Sequence, residues 1–313
     1  MRVVTQDRFG GPEVLYLSER PRPEPGPTEI RVRVEASGVN PVDIGTRAGG
    51  GFAGVIGEPP FVLGWETSGT VDAVAPGVTR FAVGEEVFGL ARFPREAGAY
   101  AEFVVGPARH FAAKPSTLDH QGAGGLALAG LTAWQALVDT ANVRAGDRVL
   151  VHGAGGGVGH LAGQIALALG AEVVGTARIA KHQRLMEIGL PEVVDYTTDR
   201  FATAVGPVDS VVDLLGEEHS FRALETIRPG GTLVYVTSDT LPEGLAEAAA
   251  EKSVRATALL VEPDHNGLAH LGAFADDGRL RVLVHHCYPL SRASEAHESL
   301  DRDRPLGKII LAP

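Results

Sequence analysis

The stretch Val149–Gly159, VLVHGAGGGVG, carries the strongest chemical signal in the chain. An apolar run ends at His152, and a glycine-dense bend follows. Leu161, Ile165 and Leu169 then recur at fourfold spacing, which predicts a helix that Gly170 stops. A helix start of this kind presents unpaired N–H groups and a partial positive charge, which suits a pyrophosphate. Glycine lets the backbone approach such a ligand and lets the helix pack closely on the preceding strand. Gly153, Gly155, Gly156, Gly157, Val158 and Gly159 are therefore candidate contacts to a dinucleotide.

The residues downstream bear on which dinucleotide. An NAD-type site places an acidic residue about 20 positions further on, where it bonds the ribose hydroxyls. Twenty residues beyond Gly156 stands Thr176, in Gly175-Thr176-Ala177-Arg178, with no carboxylate. Lys181 follows, and Tyr196 closes the next apolar run. A carboxylate repels a 2′-phosphate, whereas a hydroxyl with two cations holds one. The expected cofactor is NADPH, read by Thr176, Arg178, Lys181 and Tyr196.

Other chemistry is scarce. The single cysteine, Cys287, forms no intrachain disulfide and supplies no multi-cysteine zinc spacing; it reads as a small, half-buried apolar residue. None of the five tyrosines has a lysine four positions on, which argues against a short-chain reductase. The net charge of −11, with no lysine- and arginine-rich run, disfavours nucleic acid as a partner. The N-terminus lacks an apolar signal segment, and the uncharged stretches between Asp119 and Asp139 and between Arg148 and Glu172 are too rich in Gly and Ala for membrane spans. A cytoplasmic protein without a membrane partner is expected.

The elements that must position these residues follow from periodicity. Glu29–Glu35 alternates as a half-buried strand, and Ser68–Ala75 and Ala99–Val105 read as further strands between turns, consistent with a small barrel or rolled sheet. After His120 the pattern becomes β–α–β–α. Strands are expected at Arg148–His152, Glu172–Gly175, Glu192–Tyr196, Val208–Leu215 and Thr232–Val236, with helices at Gly159–Leu169, Lys181–Ile188 and His219–Ile227. That rhythm predicts a doubly wound parallel α/β sheet. The tail mixes helices at His265–Ala275 and Ser294–Leu300 with strands at Leu280–His285 and Lys308–Leu311. Residues 1–120 and 259–313 are expected to form one β-rich domain, and residues 121–258 the dinucleotide-binding domain.

With these residues read, the chain resembles the medium-chain dehydrogenase/reductase superfamily, in its zinc-independent quinone oxidoreductase (zeta-crystallin-like) branch. The resemblance runs nearly end to end through Gly38-Val39-Asn40-Pro41-Val42-Asp43, Leu63-Gly64-Trp65-Glu66, Leu128-Ala129-Gly130-Leu131-Thr132-Ala133-Trp134, the glycine loop and Gly307-Lys308-Ile309-Ile310-Leu311. It implies a GroES-like substrate domain built from both chain ends, a central Rossmann domain, a cleft between them for the nicotinamide, and a homodimer. Zinc-dependent relatives carry Cys where Asn40 stands and His where Trp65 stands, and a four-cysteine lobe where this chain runs short through Arg92–Gly98. A site lacking those ligands does not close around zinc. The resemblance also implies that Thr132 lies near the nicotinamide ribose or phosphates. It sets Asn40 and Asp43 facing the cleft as catalytic candidates and brings Lys308 to the cofactor from the tail. Trp65 reads as packing.

Without a metal to polarise a carbonyl, a quinone or conjugated enone is the easier acceptor, because charge develops on an oxygen that needs only hydrogen-bond donors. Asn40 is the side-chain donor candidate. Related enoyl reductases often use a tyrosine shortly after the Asn motif, where this chain has Gly49-Gly50-Gly51-Phe52. Tyr100 and the histidines stay open as proton donors. The expected substrate is a small electrophilic molecule; an enoyl-thioester or specialised biosynthetic enone reductase, and a non-catalytic NADPH-binding structural protein, are the alternatives.

Overall fold

The computed structural model describes residues 1–198 and 201–313, which divide into two compact units. One comprises Met1–Leu131, Glu262–Asp276 and Val282–Pro313; the other comprises Thr132–Val261 and Asp277–Arg281. The sequence puts the first boundary at residue 120, and the division instead follows Leu131. The reason is the helix His120–Gly124, which packs on the strands Glu29–Val39 and Glu66–Val74. A Cβ on Gly124 would stand 2.8 Å from the Ala36 carbonyl oxygen, so backbone meets backbone there. Asp277–Arg281 joins the second unit because Gln164 bonds both the N–H and the carbonyl of Arg281, at 2.8 and 3.0 Å.

The second unit is built on six parallel strands. Their order across the sheet is Glu192–Val194, Glu172–Thr176, Arg148–His152, Val208–Asp213, Ile227–Tyr235 and Arg255–Ala258. In chain order this is 3-2-1-4-5-6, the doubly wound Rossmann arrangement, and it reverses direction at Arg148–His152. The near-continuous apolar strands follow from burial on both faces; Val149, Leu150, Val151, Val211 and Val212 are wholly enclosed.

The first unit holds a seven-stranded sheet and a three-stranded one. In the larger sheet, Glu29–Val39 lies between the C-terminal strand Lys308–Ala312 and Glu66–Val74, pairing antiparallel with both, and part of it also pairs with Phe103–Pro107. Both chain ends therefore contribute to one core, in which Val3, Phe61 and Tyr100 pack with Leu290, Ile309 and Leu311.

Several expected boundaries move. Ala99–Glu102 is not strand; Ala101 forms only an isolated bridge to Val3, and the strand begins at Phe103. The Leu280–His285 strand lies instead at Val284–Pro289, set by parallel pairing with Lys308–Ala312. Tyr196 falls two residues past its strand, which ends at Val194. Lys181 closes a 3-10 turn, and the helix behind it spans His182–Glu187. Among the described residues no helix is long and apolar enough to cross a membrane.

Candidate functional site

The central strand of the parallel sheet delivers His152 to the bend at the carboxyl edge, where the strand order reverses and ligands of such sheets bind. Gly153 turns with φ +100°, a conformation that side chains rarely adopt. The helix Gly159–Ala168 then begins hard against the bend. A Cβ on Gly159 would meet the Gly153 carbonyl oxygen at 2.2 Å and the Ala154 Cα at 2.7 Å. Gly156 is open by comparison, its nearest neighbour being the Gly153 oxygen at 3.6 Å. Gly155, Gly157 and Val158 complete the loop. A helix start beside an unfilled glycine surface fits a pyrophosphate.

The predicted cofactor residues sit differently around this loop. Thr176 is fully buried; its Oγ1 accepts the Gly153 N–H at 3.0 Å and bonds His152 Nδ1 at 2.8 Å. The hydroxyl thus shapes the bend rather than facing outward. Lys181 reaches back over the loop, and its Nζ donates to the Gly155 carbonyl at 3.1 Å. Arg178 is exposed at the end of the second strand. Tyr196 stands edge-on to His152 and His219, with ring centroids 6.0 and 5.4 Å apart. Thr132 is buried on the helix Ala127–Trp134. The carboxylate ending the fourth strand in chain order, Asp213, turns inward: it accepts N–H bonds from Leu215 and Gly216 and a hydroxyl bond from Ser220. Burial pushes Asp213 above its usual range despite those bonds. Burial, and then the neighbouring His219 and Arg222, push His152 down to about 3, so its imidazole is neutral.

A second polar cluster lies inside the first unit. Asn40 precedes the short helix Pro41–Arg47 and is buried. Its amide is held at both ends: Nδ2 donates to Glu66 Oε1 at 2.8 Å, and Lys308 Nζ donates to Asn40 Oδ1. Lys308 also pairs with Glu66 at 2.7 Å, and the two side chains are 2% and 0% exposed. Glu66 Oε2 accepts the Leu128 N–H at 2.7 Å. The expectation that Lys308 approaches a cofactor meets this finding: its ammonium is enclosed between Glu66 and Asn40. Asp43, also buried, accepts the Asn40 N–H on Oδ2 at 2.7 Å, while Oδ1 has no hydrogen-bond partner. Burial, and then repulsion from Glu66, push Asp43 up to about 7. Asn40 and Asp43, predicted together, are brought together.

The expectations from sequence omit Glu66 and Arg47, and select neither Tyr100 nor any one histidine, His297 among them. A signal existed for Glu66 and Lys308. Each is a lone charge inside an apolar run, and an enclosed charge demands a partner. Nothing in the spacing, however, says that strands so far apart in sequence supply the two halves. Trp65 packs as expected, edge-on to Phe52 and Phe93, with its indole N–H bonded to the Arg95 carbonyl at 2.8 Å. Phe52 is thus part of an aromatic cluster.

Comparison with known proteins agrees with this architecture. Residues 26–116 match the alcohol dehydrogenase GroES-like domain, and residues 188–311 match the family described as zinc-binding dehydrogenase. A 2-haloacrylate reductase from Burkholderia is 32% identical, over 97% of this chain and 96% of its own. The quinone oxidoreductase of Coxiella burnetii superposes with a TM-score of 0.93 at 33% identity, covering 100% of this chain and 99% of that one. A mycobacterial protein solved in complex with NADPH superposes at 0.88 with 32% identity, covering 100% of both chains. The chain belongs to the medium-chain dehydrogenase/reductase superfamily, in its quinone oxidoreductase branch, whose members are oxidoreductases that bind a nicotinamide cofactor.

Proposed function

We infer that the protein is a zinc-independent reductase that uses NADPH to reduce a quinone or conjugated enone. The observation that carries this reading is the amide of Asn40, held by Glu66 and Lys308 at a position where zinc-dependent relatives have a thiolate. The side chains bonded to it are the Lys308 ammonium and the Glu66 carboxylate, which that ammonium already neutralises, and such a set does not suit zinc. Among the described residues no group of three His, Cys, Asp or Glu side chains is placed to hold a metal ion.

NADPH is supported by the loop and its surroundings. Gly156 and the start of the Gly159–Ala168 helix fit the pyrophosphate, while Lys181 and Arg178 stand where an NAD-type site has a carboxylate. The complex of the mycobacterial relative with NADPH points the same way. When bound, the nicotinamide supplies the hydride. Nδ2 of Asn40 carries two hydrogens, and Glu66 takes one. The second is the donor we assign to the acceptor oxygen on which charge develops as hydride adds to carbon. The product's proton comes from solvent. We further propose a cytoplasmic homodimer with no nucleic-acid or membrane partner.

The test is oxidation of NADPH, followed at its absorbance band, with quinones, enones, 2-haloacrylates and enoyl thioesters. Turnover is expected with quinones or enones. Turnover confined to enoyl thioesters would move the protein to that class. NADPH binding without oxidation by any acceptor would make it a non-catalytic binding protein.

A further inference from the structure

The proposed mechanism makes no use of Tyr100, His297 or Arg47, yet all three are buried and joined by hydrogen bonds. Their hydrogen bonds have a direction. Arg47 Nη1 lies 3.1 Å from His297 Nδ1. A guanidinium only donates, so Nδ1 accepts and the imidazole proton sits on Nε2. Nε2 lies 3.2 Å from the Tyr100 hydroxyl, which therefore accepts it. The phenol's own hydrogen is left to point onward, and the group facing it is the Asp43 carboxyl. That carboxyl takes the Asn40 N–H on Oδ2, which leaves the buried Oδ1 as the acceptor open to the phenol's hydrogen.

The protonation states agree with this order. Burial, and then Arg47, push His297 down to about 3, so it is neutral. Burial, and then Asp43, hold Tyr100 well above its usual range, so it keeps its hydrogen. Around Asp43 the charged or titratable groups are Glu66 on one strand, Lys308 on another and Tyr100; Arg47 of its own helix and His297 of the helix Ala293–Asp303 stand behind Tyr100.

We propose that Tyr100 is a positioning residue for Asn40: the donor chain Arg47 to His297 to Tyr100 aims the phenol at Asp43, whose carboxyl holds the Asn40 backbone and hence the amide between Glu66 and Lys308. This rests on the reading of Asn40 as the oxygen-facing donor. No proton leaves the chain in the reaction; the relay sets geometry and the protonation of Asp43.

The test compares wild type with Tyr100→Phe and His297→Gln by carboxyl carbon-13 NMR titration of Asp43 and by pH profiles of kcat and of KM for the acceptor. Tyr100→Phe removes a hydrogen that favours the carboxylate. The Asp43 titration is expected to move to higher pH by up to about one unit, the worth of one hydrogen bond. kcat is expected to fall about threefold to tenfold on the same scale, with its acid limb displaced likewise. His297→Gln, able to accept from Arg47 and donate to Tyr100, is expected to stay near wild type. It also keeps the test open if Tyr100→Phe does not fold, because His297→Leu, lacking both functions, is then expected to displace the Asp43 titration. An unmoved titration in the folded relay variant would overturn the proposal, as would a moved titration with an unchanged kcat profile. An Asn40→Ala variant that turns over like wild type would instead bring down the reading of Asn40, and the proposal with it.

Discussion

Lys308 and Glu66 show how much one buried pair demands of its neighbours. Neither is solvated, so each needs the other and the groups that complete their hydrogen bonds: the Asn40 amide and the Leu128 N–H. Removing one partner leaves the other charged and enclosed, at a cost of about 3–5 kcal/mol. Glu66→Gln is expected to lower stability on that scale in denaturant unfolding, and Glu66→Gln with Lys308→Met to recover part of the loss. If the single variant unfolds like wild type, the pair carries no such weight. At the loop, Lys181 tests the cofactor reading. Lys181→Ala is expected to weaken NADPH about tenfold to a hundredfold, the scale of a charged hydrogen bond, and to leave NADH nearly unchanged. Titration calorimetry with both nucleotides decides it; equal losses would show that Lys181 does not read the 2′-phosphate.

Among the elements, the strand Arg148–His152 and the helix Gly159–Ala168 act as one piece, joined by a bend that leaves no room for a side chain at Gly159. The Gly153 carbonyl and Ala154 Cα occupy the space where a Gly159 side chain would go. Because both are backbone, relief requires the helix start to move. Gly159→Ala is expected to cost about 1–3 kcal/mol of stability and to abolish tight nucleotide binding. Thermal unfolding and NADPH titration measure the two effects. Unchanged binding would mean that the helix start does not hold the pyrophosphate. The helix Pro41–Arg47 is a contrasting case: at a length this short, its position comes from the Asp43–Asn40 cap and the Arg47–His297 bond rather than from intrinsic helicity.

For the whole molecule, buried titratable groups set opposed pH dependences. His152 and His297 are each held at about 3, below the ordinary imidazole value, so the unfolded chain binds more protons than the folded one between there and about 6.5. Their contribution is present above about 6.5 and is lost as pH falls through that window. Asp43, pushed up to about 7, works the other way: its contribution is present below about 4 and is lost as pH rises through 7. Between about pH 5 and 6.5, two imidazoles outweigh one carboxyl, and stability is expected to fall on acidification. Thermal melts of wild type, His297→Gln and Asp43→Asn across this range check the signs. His297→Gln is expected to flatten the slope and Asp43→Asn to steepen it; the reverse order would refute the assignment.

Sequence alone determined what is local. The doubly wound sheet followed from apolar runs spaced by helical periods, and the phosphate loop from glycines lying between a strand and a helix. Strand ends were less legible, because pairing partners set them: Val284–Pro289 takes its register from Lys308–Ala312, and no pattern within residues 280–285 announces that. The candidate site was legible in part. Asn40 and Asp43 lie three residues apart, so one turn joins them, whereas Glu66, Tyr100, His297 and Lys308 come from distant segments. Only tertiary packing decided that a strand from each end of the chain would enclose a lysine against a glutamate, because an ion pair leaves no periodic trace in either segment. The same packing decided that Thr176 would face its own loop, since the direction of a buried hydroxyl depends on neighbours that sequence distance does not reveal.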